Sequence, residues 1–235
     1  MSEVTICNLA LSHLGDTASV ASIKPPDSSV QAQLCARLYY VARNALLEMA
    51  AWGFATRRVA LAQVTNPTLD PNDPDSRGTW RFAYALPNAA INVLAVIPAD
   101  APSDYEAWAG PGEKDHSYPQ GYLPTPGAPQ YTPAPFACET LSDGSQIVLT
   151  NVCDAVLRYT TLVEDTTKFS TLFTLALSYL LASMLAGPLI KGDAGVTVAE
   201  QMLQLFGSFK GQAEASDANQ RKTHVEPAVG WIRGR

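Results

Sequence analysis

The sequence predicts an α+β protein, roughly a four-helix bundle with an inserted small antiparallel β domain and an extended C-terminal tail. Three observations carry this expectation. Apolar residues recur every three or four positions at both ends of the 235-residue chain. The middle alternates with a period of two. The order helix, strand, helix then makes the β part an insertion rather than a neighbour. The expected boundaries are 1–64 with 164–211 for the helical domain, 65–163 for the insertion and 212–235 for the tail.

Residues 1–64 read as helical. Ser2 is placed to cap a short helix with Ile6, Leu9, Ala10 and Leu14 on one face, and Gly15 to end it. Pro25 and Pro26 keep the connector extended, and Asp27 or Ser28 caps a longer helix. Its apolar stripe is read as Val30, Leu34, Leu38, Val41, Ala45, Met49 and Trp52, with Arg37, Asn44 and Glu48 off it. Gly53 breaks the pattern.

Trp80, Phe82, Tyr84 and Leu86 alternate with Arg81, Ala83 and Ala85, a strand with one aromatic face. Ile91 to Ile97 gives a second strand. Ala137 to Leu141 and Ser145 to Leu149 flank Asp143-Gly144, a hairpin turn signal, and Val152 to Val163 completes a small sheet. Residues 99–135 form a long Pro-, Gly- and Tyr-rich loop, of a length that is usually functional.

Asp165-Thr166 opens a third helix through Ile190, with Phe169, Leu172, Phe173, Ala176, Leu180 and Met184 inward and Gly187-Pro188 closing or kinking it. Residues 169–190 carry no charge, long enough to test as a membrane span. Ser170, Thr171, Thr174, Ser178 and Ser183 dilute the run, and no basic cluster flanks it, so a buried core helix is the reading. A fourth helix carries Val198, Met202, Leu205, Phe206 and Phe209, and periodicity is lost after Gly211.

Composition narrows function. Hydrophobic residues make up 47% and charged residues 16%; a soluble monomer carries about 25% charge, so much of this surface is expected to face protein. The net charge of -6 argues against a nucleic-acid binder. From Asn219 onward, Arg221, Lys222, Arg233 and Arg235 against Glu226 leave +3, so the rest carries -9. An acidic body with a basic tail implies a docking segment: Trp231 and Ile232 as apolar anchors, with Arg233 and Arg235 seeking carboxylates.

Catalytic and metal signatures are missing. Cys7, Cys35, Cys138 and Cys153 form no close pair, which excludes zinc and redox spacings. With no secretory n-region at the start, they read as reduced thiols of a cytoplasmic product. The Asp-rich run 70–78 fails as a calcium loop, because Arg77 and Tyr84 fall where ligands are needed. His13, His116 and His224 are isolated, and no nucleophile elbow, phosphate loop or dinucleotide fingerprint occurs. Glu139 and Asp154 form the one imaginable acid pair for sugar cleavage. The expectation is therefore a non-enzyme with no cofactor and no metal.

The order of short motifs resembles one known family. Ile6-Cys7-Asn8-Leu9-Ala10-Leu11 with Leu14-Gly15 looks like the first helix of the head-to-tail adaptors of short-tailed bacteriophages, also called tail tubular protein A. So do Asp27-Ser28, Ala42-Arg43, Leu46-Leu47-Glu48 and Trp52-Gly53-Phe54-Ala55 in the second helix. Trp80-Arg81-Phe82-Ala83-Tyr84-Ala85-Leu86-Pro87 and Leu157-Arg158-Tyr159 match as well, and the 99–135 loop is longer than that pattern. The resemblance implies a virion protein made in the bacterial cytoplasm, forming a dodecameric ring between the portal protein and the tubular tail nozzle. DNA would pass through its channel without sequence-specific binding, past an acidic wall that repels phosphate.

On that view Arg221, Lys222, Trp231, Ile232, Arg233 and Arg235 contact the portal, and Tyr105, Trp108, Tyr118 and Tyr122 contact the nozzle or a neighbouring copy. The competing expectation is a carbohydrate- or receptor-binding tail component, using these aromatic residues and Tyr131 as its recognition surface. A cell-wall hydrolase acting through acidic residues is a third. No membrane partner is expected.

Overall fold

A computed structural model describes residues 1–17, 19–69, 80–99 and 134–220. The chain is α+β, with four α-helices and two antiparallel sheets among these residues. It divides into two compact units. Among the described residues, one joins Met1–Ala55 to 162–220, and the other is Thr56–Thr161.

In the helical unit, α1 spans Glu3–His13. The Ser2 hydroxyl accepts from the Thr5 amide at 3.1 Å. At the other end Gly15, at φ +74°, donates to Ser12 O while Asp16 N reaches back to Leu11 O. That paired closure needs a left-handed residue, which glycine supplies without strain. The following connector is not simply extended: Lys24–Pro25 is a cis peptide, and Ile23 bridges to Pro26. Asn8 pins it by exchanging two hydrogen bonds with the Val20 backbone.

Helix α2 covers Val30–Glu48 and corrects two expectations. Its cap is Ser29, whose hydroxyl accepts from Ala32 N, while Asp27 accepts from the Ser29 amide. Asp27 thus braces the cap from two residues earlier in the chain. Its buried face consists of Ala32, Cys35, Tyr39, Ala42, Arg43, Leu46 and Leu47. Of the expected stripe, Val30, Val41 and Met49 are exposed, Leu34, Leu38 and Ala45 are half-buried, and Trp52, beyond the helix, is buried as expected. Both faces are apolar enough to pass as core, and the one bearing small Ala and Cys residues packs close to its neighbours.

The chain re-enters the helical unit at Leu162. Asp165 caps only a short 3-10 turn, Thr166–Lys168, and Ser170 caps the true helix α3, Thr171–Ile190. Here α3 is the central element, packed on by α1, α2 and α4. Ten of its residues are buried, over most of its circumference, and Leu172, Leu175, Tyr179 and Ser183 on the remaining side are half-buried. That arrangement accounts for its lack of charge: it is the described helix long and apolar enough to cross a membrane, and its walls are protein. Gly187-Pro188 does not close it. The turn comes at Lys191 and Gly192, at φ +58° and +63°.

Helix α4, Gly192–Ala218, returns along α3 and runs past Gly211, where periodicity was expected to end. Its seam holds buried Gly195, Phe206 and Ala213, with Leu205 outside it. Gly195 lies so close to α3 that a β-carbon there would sit 3.2 Å from Ala186 O.

The second unit begins within the stretch expected to be helical. Thr56–Ala60 is strand β1 and Gln63–Val64 is β2. β1 is almost wholly exposed, and its partner β7 (Val156–Thr161) holds it in place through pairs from Thr56↔Thr160 to Ala60↔Val156. With β4 (Ala90–Ile97) this makes a three-stranded sheet in the order β1-β7-β4. The other sheet has the order β2-β3-β6-β5, with β3 at Phe82–Ala85, β5 at Phe136–Thr140 and β6 at Gln146–Thr150.

Two sheets therefore replace the single one expected. Tyr84, Val96, Val148, Leu157 and Tyr159 form one core of this unit. Ala83, Ile147 and Leu149 form a second, on which Trp80 packs. The strand expected to have one aromatic face thus buries both: Phe82 and Tyr84 join one core and Trp80 the other, because the chain bends at Arg81. The Asp143-Gly144 hairpin forms as expected, with Gly144 at φ +84°.

Candidate functional site

His13 is the one histidine among the described residues, and its Nε2 lies 3.0 Å from Ser178 Oγ. In isolation this looks like a base beside a nucleophile. Ser178 is fully buried, however, and its hydroxyl donates to Leu175 O at 2.8 Å. The hydroxyl cannot meet a substrate, and the imidazole is left as the donor. His13 instead stacks on Tyr179 at 4.0 Å between ring centres, and Tyr179 stacks on Phe209 at 5.0 Å, tying α1, α3 and α4 together. Burial holds the imidazole below its ordinary pKa, in the neutral form.

Cys7 and Cys35 are buried where α1 meets α2, and the hydrogen bond between them, with burial, pushes the Cys7 thiol up, while the same bond lowers Cys35. Burial also raises Cys138. Among the described residues no group of three His, Cys, Asp or Glu is placed to hold a metal ion. Glu139, on β5, borders an open cleft of about 390 Å³ lined also by Leu86, Ile91, Val93 and Phe136. Asp154 is exposed in the turn before β7 and is not among the walls of that cleft.

Among the described residues, one charged side chain is buried. Arg43, 2% exposed, points its guanidinium at Glu3 (4.0 Å) and Glu164 (3.7 Å) and donates from Nε to Asn44 at 3.1 Å. It clasps the start of α1 and the lead-in to α3. A charge inside an apolar stripe gives no sequence signal of such a role.

The chain matches no known protein family, and no curated protein matches it.

What the helical unit does offer is surface. On α2, Val30 is 64% and Val41 55% exposed, with Met49 beside them. On α4, Val196 is 57% and Leu203 53% exposed. Large side chains this open, repeated along two helices that pack on α3 through other residues, present apolar area where a lone molecule would carry charge. The sequence reading found the α2 residues but placed them in the core. Val196 and Leu203 were missed because the seam of α4 drew the periodicity to Phe206.

The residues singled out for docking, Arg221, Lys222, Trp231, Ile232, Arg233 and Arg235 in the tail and Tyr105, Trp108, Tyr118 and Tyr122 in the insertion, lie outside the described residues.

Proposed function

We propose that this protein is a structural head-to-tail adaptor of a phage virion, a ring between portal and tail nozzle through which the genome passes. The observation that carries the reading is the second, outward apolar face on α2, matched by another on α4. A helix with two apolar faces belongs between two layers of protein, and one of those layers lies outside the chain. The motif order from Ile6 to Tyr159 supplies the family, and the charge-poor composition agrees with extensive protein contact. The basic segment after Asn219 is the portal-docking element, acting through Trp231, Ile232 and the flanking arginines.

The test is co-sedimentation with purified portal protein. The full chain is expected to pellet with portal. A chain ending at Val225 is expected to stay in the supernatant with unchanged circular dichroism. Equal pelleting of both refutes the tail's role, and failure of the full chain to bind refutes the adaptor.

A further inference from the structure

We infer that the exposed face of α2 docks, in parallel, against the exposed face of α4 on a second copy of this chain. The inference deepens the adaptor reading, on which ring closure rests. The faces themselves come from the geometry of the helical unit.

Directions are fixed by contacts at one end of that unit. Gly53 N, just past α2, donates to both oxygens of Asp217 near the end of α4, at 2.9 and 3.0 Å. Trp52 and Phe54 pack edge-on to Phe173 at the start of α3, each at 5.0 Å. The C-terminal ends of α2 and α4 therefore meet the N-terminal end of α3. α2 and α4 run the same way, with α3 packed against each.

The two outward faces are different surfaces, so contact between them is heterologous, and the ring of the adaptor reading requires its repetition to close about an axis, taken here along the helices. Rotation about such an axis leaves helix direction unchanged. One copy's α2 meets the next copy's α4 in parallel.

In that orientation the faces complement each other. Placing exposed Arg37 beside exposed Glu200 sets Val41 next to Leu203. The steps from charge to apolar residue, four positions on α2 and three on α4, cover about 6 Å and 4.5 Å along the helices. One turn further, Ala45 falls opposite Gly207, where a β-carbon would meet nothing within 4 Å. Small residues at the centre let two helices approach closely. An antiparallel match would set Arg37 against Lys210.

The test uses Val41→Asp to spoil the α2 face and Gly207→Leu to block the α4 face. Both positions are open in the single chain, so both variants fold, and circular dichroism checks this. Analytical ultracentrifugation at about 100 μM, where contacts with dissociation constants well below 0.1 mM are saturated, is expected to show wild-type oligomers and two monomeric variants. An equimolar mixture of the variants is expected to give a dimer and nothing larger, because each retains the face the other lacks. Arg37→Glu is expected to weaken assembly about tenfold, with recovery in the double variant Arg37→Glu/Glu200→Arg.

Variants that keep the wild-type oligomer overturn the docking and leave the adaptor standing. So does a monomeric wild type that still binds portal. Oligomers lost as described, without portal binding, sink the adaptor reading and keep the docking.

Discussion

Trp52 secures the base of the helical unit in two ways. Its Nε1 donates to Leu46 O at 2.8 Å, which satisfies a buried polar group, while its ring meets Phe173 edge-on. His13 is the corresponding residue that responds to pH. Its imidazole takes a proton near 6.5 when unfolded, and burial lowers that value in the fold. Between the two values the unfolded chain binds more protons, so stability rises with pH across that window. The contribution is complete above about 6.5 and is lost as pH falls through the lower folded value. Urea midpoints measured from pH 7.5 down to 5 are expected to fall, and His13→Phe, which keeps the stack on Tyr179, is expected to flatten that part of the profile.

Among the elements, the cap of α2 separates two readings of the same short segment. Ser29→Ala removes the acceptor of the Ala32 amide and is expected to cost about 1 kcal/mol in urea denaturation. Ser28→Ala is expected to stay within about 0.5 kcal/mol, and the reverse ranking would restore Ser28 as the cap. Helix α3 and the Asp143-Gly144 hairpin were readable from sequence because each signal is local: an unbroken apolar run, and a turn that demands positive φ. The burial of α2 was not, since apolar residues cover two of its faces and only tertiary packing selects one. Strands β1 and β2 were hidden for a related reason. Thr56-Arg57-Arg58-Val59-Ala60 has no core face, and its conformation is imposed by hydrogen bonds to a strand about a hundred residues later. Of the candidate site, sequence gave the outward residues of α2 but not their exposure, because periodicity says which residues share a face and not which face is inside.

At the scale of the whole chain, the β unit leaves and rejoins the helical unit at neighbouring points. Thr56 pairs with Thr160 across β1 and β7, which brings their α-carbons to about 5 Å. Replacing residues 57–159 with a short Gly-Ser linker is therefore expected to preserve the helical circular dichroism and one cooperative unfolding transition. Loss of helicity in that deletion would mean that the helices depend on the β unit to fold.

The same layout sets an order of events on the ribosome. The first two helices emerge without α3, the element that packs against both of them. At about 5–20 residues per second, the stretch 56–161 delays that cover by on the order of 5–20 seconds. The part of the molecule translated first thus waits, half-dressed, for the part translated last, and it is in those seconds that a nascent chain most needs a chaperone.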